Sequence, residues 1–280
     1  MLSVLKLIRI NPLLWLIALI GVITGHFREF LILFLVILIH ELGHALAASF
    51  FKWRLVKVEL LPFGGVAEMD EYGNRPYHEE IIVTAAGPLQ HIWMIAGGMT
   101  CLSAGIGDPQ LLELLIEMNW MIFLFNLLPI WPLDGGKLLF LLLTLFFPYK
   151  KAKESMLMLS FGFLLIFAVV SFIWFTVHLN LIIILSFLLY AHYFEWKHQP
   201  YVYIRFLLER MTGKEKTMRS KILTVQPTTT VENVLSGFYK GCSHDILIKS
   251  ASPYMCKEKD ILTAYFKQSA GTCAIEDLFR

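Results

Sequence analysis

The chain has 280 residues, of which 57% are hydrophobic and only 16% are charged, and its formal net charge is +2. This composition is typical of a membrane protein, and the small net charge excludes a strongly basic surface for nucleic acid. We therefore predict an α-helical polytopic membrane protein with six transmembrane helices, followed by a small α+β C-terminal domain, and we expect no nucleic-acid partner.

The first apolar run, residues 13–25, follows Asn11 and Pro12 and predicts a first membrane span. A basic start before a short apolar run is also typical of a signal peptide. No small-x-small cleavage site precedes His26, Arg28 and Glu29, so we interpret the run as an uncleaved span.

The second apolar run, residues 30–50, is long enough to span a bilayer and yet contains His40, Glu41 and His44. An ionisable residue at mid-membrane costs about 2.5 to 3.5 kcal/mol on insertion scales, so such residues mark function. On a helix, positions i and i+4 share one face, and two neutral imidazoles there can bind Zn²⁺ with the glutamate as general base for water. The pattern predicts a zinc protease with its active site inside the membrane.

Other interpretations of the same residues remain open from this run alone. A histidine in an apolar helix is usually a hydrogen-bonded core residue. A glutamate with two histidines in a membrane is also typical of a proton relay or an ion-transport site.

A basic cluster of Lys52, Arg54 and Lys57 follows, which assigns this side of the second span to the cytoplasm. Residues 56–61 alternate weakly in hydrophobicity, and Pro62, Gly64 and Gly65 follow them. This pattern predicts a strand and a hairpin or re-entrant loop, with a plain connecting loop as the alternative.

The third predicted span, residues 79–103, contains a run of small residues that ends in Gly87 and Pro88. Small residues allow helices to approach closely. His91 lies in the same span, and we expect it to bond a neighbouring helix rather than to touch the site.

Residues 113–147 are too long for one span and are interrupted from Asn126 to Lys137 by two prolines and two glycines. A break of this kind leaves backbone groups unsatisfied and belongs in a cavity. Asp134 lies in the break and completes the three protein ligands that a catalytic zinc ion needs. The alternative is that Asp134 caps a helix that begins at Gly135.

Residues 156–176 and 179–194 predict the fifth and sixth spans, joined by a turn near His178. The basic residues between the fourth and fifth spans lie on the cytoplasmic side, which gives a membrane domain over residues 1–195 with both termini in the cytoplasm.

Residues 196–216 predict an interfacial helix, which we place over 195–210, and a linker at 213–216. The composition of residues 217–280 becomes that of a soluble domain. We predict strands at 222–225 and 246–248, and helices at 231–239 and 260–266. So small a domain is marginally stable alone, which favours self-association.

With these two motifs, the chain resembles the site-2 proteases, intramembrane zinc metalloproteases that cut membrane-associated proteins. The resemblance covers roughly residues 10–195 and implies zinc ligands at His40, His44 and Asp134 and a catalytic base at Glu41. It also implies that residues around the third ligand shape the break, namely Asn126, Pro129 and Gly135.

The C-terminal domain is similar to a single CBS motif, and six spans before such a module resemble the Bacillus sporulation branch of the family. This resemblance implies cleavage of the membrane-associated precursor pro-sigma-K during sporulation, in the mother-cell membrane or in the membrane that surrounds the forespore. It further implies inhibitory membrane protein partners, a homo-oligomer, and ATP or another adenine nucleotide at the CBS-like domain.

Under the protease hypothesis, Glu41 takes a proton from the attacking water and passes it to the leaving amine, near the cytoplasmic face. An ion-binding membrane transporter would instead show flux across the bilayer and no proteolysis. A catalytically inactive regulatory relative would bind partners through its C-terminal domain.

Overall fold

The computed structural model describes residues 8–61, 64–69, 73–174, 179–212, 220–250, 253–267 and 271–278. The described residues belong to two compact units. The first unit draws on residues 1–71, 78–138 and 168–188, and the second on residues 72–77, 139–167 and 189–280. Our division of the chain at residues 195 and 216 stays a prediction.

The chain is mostly helical, as predicted. The described residues include seven longer helices: α1 (Pro12–Thr24), α2 (Phe27–Phe50), α3 (Tyr77–Ser103), α4 (Pro109–Asn126), α5 (Asp134–Phe146), α6 (Tyr149–Trp174) and α7 (Leu179–Met211). Three of them are long and apolar enough to cross a membrane: α2, α3 and residues Tyr149–Ile173 of α6. The protein is therefore a membrane protein.

The predicted break in the fourth apolar run is confirmed. Asp108 caps the start of helix α4, because its side chain accepts a hydrogen bond from the amide of Gln110, and Pro109 is the first residue of the helix. It ends at Asn126, and α5 begins only at Asp134. The proline-containing segment between them thus separates two helices, and Asp134 is the first residue of the second helix.

Helix α7 differs from the two segments that we expected. It continues without interruption through Pro200 to Met211, so the segments that we predicted as the sixth span and as an interfacial helix form one helix. The predicted turn near His178 and the linker at 213–216 lie outside the described residues.

The predicted hairpin is confirmed. Strand β2 (Leu55–Leu61) pairs antiparallel with β3 (Gly64–Met69). A further strand, β1 (Ile8–Ile10), pairs parallel with β2, so β2 is the central strand. The sequence did not predict β1, because its pairing joins segments about 50 residues apart.

Three helices of the first unit pack together around one small core. Ile32 and Val36 of α2 and Met94 of α3 are buried against Leu115 and other apolar side chains of α4. This packing fixes the positions of α2, α3 and α4, and so brings polar residues of the three helices close together.

The C-terminal part of the second unit is a small α+β module. Its elements are β4 (Ser220–Val225), α8 (Val231–Ser236), β5 (Ser243–Ile248), β6 (Tyr254–Lys257), α9 (Glu258–Lys267) and a 3-10 turn (Ile275–Leu278). Strand β5 pairs parallel with β4 and antiparallel with β6. The two predicted strands and two predicted helices are confirmed with shifted ends, whereas β6 was not predicted.

The core of the second unit joins this module to α7. Phe206 and Leu207 of α7 are fully buried among Phe238, Ile246 and other apolar side chains of the module. At about 25 cal/mol per Å² of apolar surface, burial of a phenylalanine stabilises such a contact by roughly 2 kcal/mol.

A short segment before α3, residues 73–77, also belongs to the second unit. The Lys240 ammonium donates to the Gly73 carbonyl at 3.1 Å. The side-chain amide of Asn74 donates to the Glu209 carboxylate at 2.8 Å. The module and the end of α7 therefore hold the segment that leads into α3, within the second unit.

Candidate metal centre

His40 and His44 lie one helical turn apart on the buried face of α2, at 4% and 5% exposure. Their Nε2 atoms are 3.1 Å apart. The predicted convergence of the two imidazoles is therefore realised, because an i, i+4 pair on a helix shares one face.

Asp134, the first residue of α5, brings a third donor to the same point. Its Oδ2 lies 3.1 Å from Nε2 of His44 and 3.2 Å from Nε2 of His40. In a tetrahedral zinc site with bonds of about 2.0–2.1 Å, neighbouring donors are roughly 3.3 Å apart. The cluster fits Zn²⁺ in size and donor type and occupies three of the four corners of a tetrahedron.

The outer nitrogens of both histidines are also held. Nδ1 of His44 donates to the Val83 carbonyl at 2.8 Å, which leaves the lone pair of Nε2 directed at the cluster. Nδ1 of His40 lies 3.0 Å from Nε2 of His91 on α3. The expected bond of His91 to a neighbouring helix is present, since its Nδ1 bonds Asn119 of α4. His91 also touches the site, which we did not expect.

The second carboxylate oxygen of Asp134 accepts a hydrogen bond of 3.0 Å from the ammonium of Lys137, one turn along α5. Both oxygens of Asp134 are thus engaged by side chains, one by Lys137 and the other by the two histidines. This arrangement favours ligation over the alternative in which Asp134 caps its own helix.

Glu41 follows His40 on α2 and is 6% exposed. Its carboxylate is within electrostatic range of Lys137 and of His44. A buried carboxylate beside the donor cluster, and outside it, is the arrangement that a general base for water requires.

The three expected shaping residues lie around the break and outside the donor cluster. Asn126 ends α4 and donates to the Ile122 carbonyl of its own helix at 3.1 Å. Pro129 is half-buried in the break. At Gly135, a Cβ atom would collide with the Leu127 carbonyl oxygen, so only glycine allows α5 to start so close to the preceding chain.

Two further residues, Asn119 and Gly87, contact histidines of the site, and the sequence did not predict a role for either of them at the site. Asn119 is fully buried on α4 and bonds His91, and only its polarity in an apolar span could have marked it. Gly87 of α3 packs directly against both histidines, since an added Cβ would overlap His44 and lie 2.8 Å from Cε1 of His40. The run of small residues predicted this close approach in general terms only.

The chain matches peptidase family M50 over residues 29–105 and 101–169. Stage IV sporulation protein FB of Bacillus subtilis is 39% identical over 97% of this chain and 95% of its own length. A zinc metalloprotease of Methanocaldococcus jannaschii is 34% identical over 48% of this chain and 42% of its own length.

Among solved structures, the site-2 protease from Methanocaldococcus jannaschii is similar in fold. The two superpose with a TM-score of 0.52 at 28% sequence identity, over 67% of this chain and 89% of that one. The shared region is therefore large enough to include the helices that carry the donor cluster.

Proposed function

Because the chain belongs to peptidase family M50 and is a zinc metalloendopeptidase of the site-2 type, we propose that His40, His44 and Asp134 hold its catalytic zinc ion. We further propose that Glu41 is its catalytic base. The observation that carries the proposal is the triangle of donor atoms with sides of 3.1–3.2 Å. Family membership favours hydrolysis over ion transport by the same residues.

When bound, zinc supplies Lewis-acid chemistry, which lowers the pKa of water and polarises a carbonyl group. Glu41 accepts the proton of the attacking water and then donates it to the amine that leaves. His40 and His44 would hold zinc through Nε2, with their outer nitrogens bonded as described. Asp134 would hold zinc through Oδ2, since Lys137 donates a hydrogen bond to Oδ1.

We propose that the substrate is the membrane-associated precursor pro-sigma-K and that cleavage occurs near the cytoplasmic face during sporulation. The proposal is supported by the extent of the match to a sporulation protein, which covers nearly the whole of both chains. It includes inhibitory membrane protein partners and a location in the mother-cell membrane around the forespore.

The proposed topology has six spans and cytoplasmic termini. The three helices of sufficient length and apolarity account for half of these spans. The remaining three would be α1, the interrupted pair α4 and α5, and the first half of α7. The basic residues after α2 and at the start of α6 support this orientation.

The CBS-like assignment of the C-terminal module is also a proposal, supported by its compact α+β fold. A homo-oligomer in which two modules pair follows from it. Binding of an adenine nucleotide stays a prediction, which equilibrium dialysis of the full-length protein against labelled ATP would test.

The decisive experiment co-expresses tagged pro-sigma-K in a bacterial host with the native chain, with Glu41→Gln or with Glu29→Gln. Glu29 is a matched control, since it lies on the same helix about 18 Å away along the axis. We expect a shortened product from the native chain and from Glu29→Gln, and none from Glu41→Gln at equal expression and zinc content. Equal products from all three would remove Glu41 from the mechanism.

A further inference from the structure

His91 is a fully buried histidine that none of the proposed catalytic steps uses. It lies on α3 between two polar residues from other helices. Its Nε2 is 3.0 Å from Nδ1 of His40, and its Nδ1 is 2.9 Å from Oδ1 of Asn119, which is also fully buried. Polar residues are costly inside a membrane, so a buried chain of three requires a function.

The direction of the hydrogen bonds in this chain follows from its outer end. The side-chain Nδ2 of Asn119 donates to the Leu115 carbonyl at 2.8 Å, and a carbonyl can only accept. The amide oxygen of Asn119 therefore faces His91, and it too can only accept. Nδ1 of His91 must then carry a proton and donate it.

The same logic continues to the donor cluster. A neutral His91 with its proton on Nδ1 has a lone pair on Nε2, which accepts a hydrogen bond from Nδ1 of His40. With its proton on Nδ1, His40 directs the lone pair of Nε2 at His44 and Asp134. The backbone carbonyl of Leu115 thus selects, through two side chains, the tautomer of His40 that can bind a metal.

We propose that His91 and Asn119 are positioning residues that fix the tautomer and ring orientation of His40 for zinc. The inference rests on the proposed zinc ligands and adds two residues to that site. The two histidines differ in this respect. His44 is fixed by a backbone carbonyl, that of Val83, whereas His40 depends on side chains from two other helices.

The test measures the zinc dissociation constant of the purified full-length enzyme in detergent by competition with a chelator. Loss of a residue that orients a metal-binding histidine typically weakens metal affinity about 10–100-fold. We expect this loss for His91→Phe and for Asn119→Leu. Because the two residues act in series, the double variant should be no weaker than the weaker single variant.

Two controls separate positioning from a general structural role. In His91→Gln, a single amide can accept from His40 and donate to Asn119, so zinc affinity should return to within about threefold of native. His192→Phe removes another buried imidazole, which lies in the second unit, and should leave zinc affinity unchanged. The visible spectrum of the cobalt-substituted enzyme should change in His91→Phe and not in His91→Gln.

Native zinc affinity in folded His91→Phe would overturn the proposal. If that variant does not accumulate, Asn119→Leu provides the same test, because it keeps the imidazole and removes only its acceptor. Asp134→Ala distinguishes the two levels of inference. If Asp134→Ala also binds zinc with native affinity, the proposed ligands are wrong. If zinc affinity is lost in Asp134→Ala and in none of the other variants, only the positioning role is rejected.

Discussion

The ammonium of Lys137 donates a hydrogen bond of 3.0 Å to Oδ1 of Asp134, so that only Oδ2 faces the two imidazoles. Lys137→Met should release Oδ1 and weaken zinc binding by about tenfold, near the lower end of the effect of a residue that supports a ligand. The lysine side chain is 44% exposed, and solvent screening limits its contribution. Chelator competition measures the effect, and Lys137→Arg, which keeps the charge, should stay near native.

Gly87 leaves no room for a side chain beside the histidines. In Gly87→Ala the new methyl group would displace His44 and His40, so we expect loss of bound zinc and at least a hundredfold loss of cleavage. Gly97→Ala on the same helix is the matched control, because a Cβ there meets nothing within 4 Å. Atomic emission measures the bound zinc per folded protein. A native zinc content in both variants would contradict the prediction.

Lys153 and Glu195 form a buried ion pair between α6 and α7, with side chains 6% and 14% exposed. Lys153→Met leaves the carboxylate buried without its partner and should destabilise the protein by roughly 3 kcal/mol. Replacement of both residues, with Lys153→Met and Glu195→Leu, should recover much of this loss. Thermal unfolding in detergent measures the effect, and the exposed Lys151→Met should change little.

Glu258 accepts hydrogen bonds from His244 and from Arg210 at the end of α7, each at 2.9 Å. Burial alone would raise the pKa of Glu258, but the bonds from His244 and Arg210 outweigh it and lower the pKa to about 2. Burial is the main reason that the pKa of His244 lies below its usual value. The unfolded chain therefore binds more protons at both groups.

The free energy of unfolding of the C-terminal module should consequently decrease as the pH is lowered. The contribution of His244 is lost below about pH 6.5, and that of Glu258 is lost from about 4.5 towards 2. Glu258→Gln should lower the stability at pH 7 and flatten its decline below pH 4.5. Resistance of the module to limited proteolysis of the full-length protein, from about pH 2 to 7, measures both effects. The exposed Glu232→Gln should retain the native profile.

The outer edge of β3 is a candidate site for an extended substrate, since main-chain pairing at a sheet edge can hold a peptide. Neighbouring residues of a strand direct their amide groups to opposite sides. One of the two variants Val66→Pro and Ala67→Pro therefore removes an amide that points away from β2, at the outer edge of the sheet. We expect the variant that removes it to impair cleavage and to keep its zinc. Loss of zinc in both variants would show that the hairpin is structural instead.

The sequence predicted those features that depend on local pattern. The spacing of His40 and His44 predicted that they share one face of a helix. The prolines and glycines around Asp134 predicted the break between two helices. Asn119 escaped prediction because a single amide in an apolar helix does not identify its partner. Strand β1 escaped because its partner is distant in the chain, and the continuity of α7 through Pro200 escaped because proline usually ends a helix.

The contacts of residues 73–77 with Lys240 and Glu209 affect how fragments of this protein should be interpreted. A chain cut after α7, made to isolate the protease from its C-terminal module, would also lose the Lys240 contact with the Gly73 carbonyl, which lies within the second unit. Inactivity of such a fragment would therefore be no measure of regulation by the module. Substitutions on the exposed surface of the module, such as Ile222→Ser, preserve this anchor and separate the two effects.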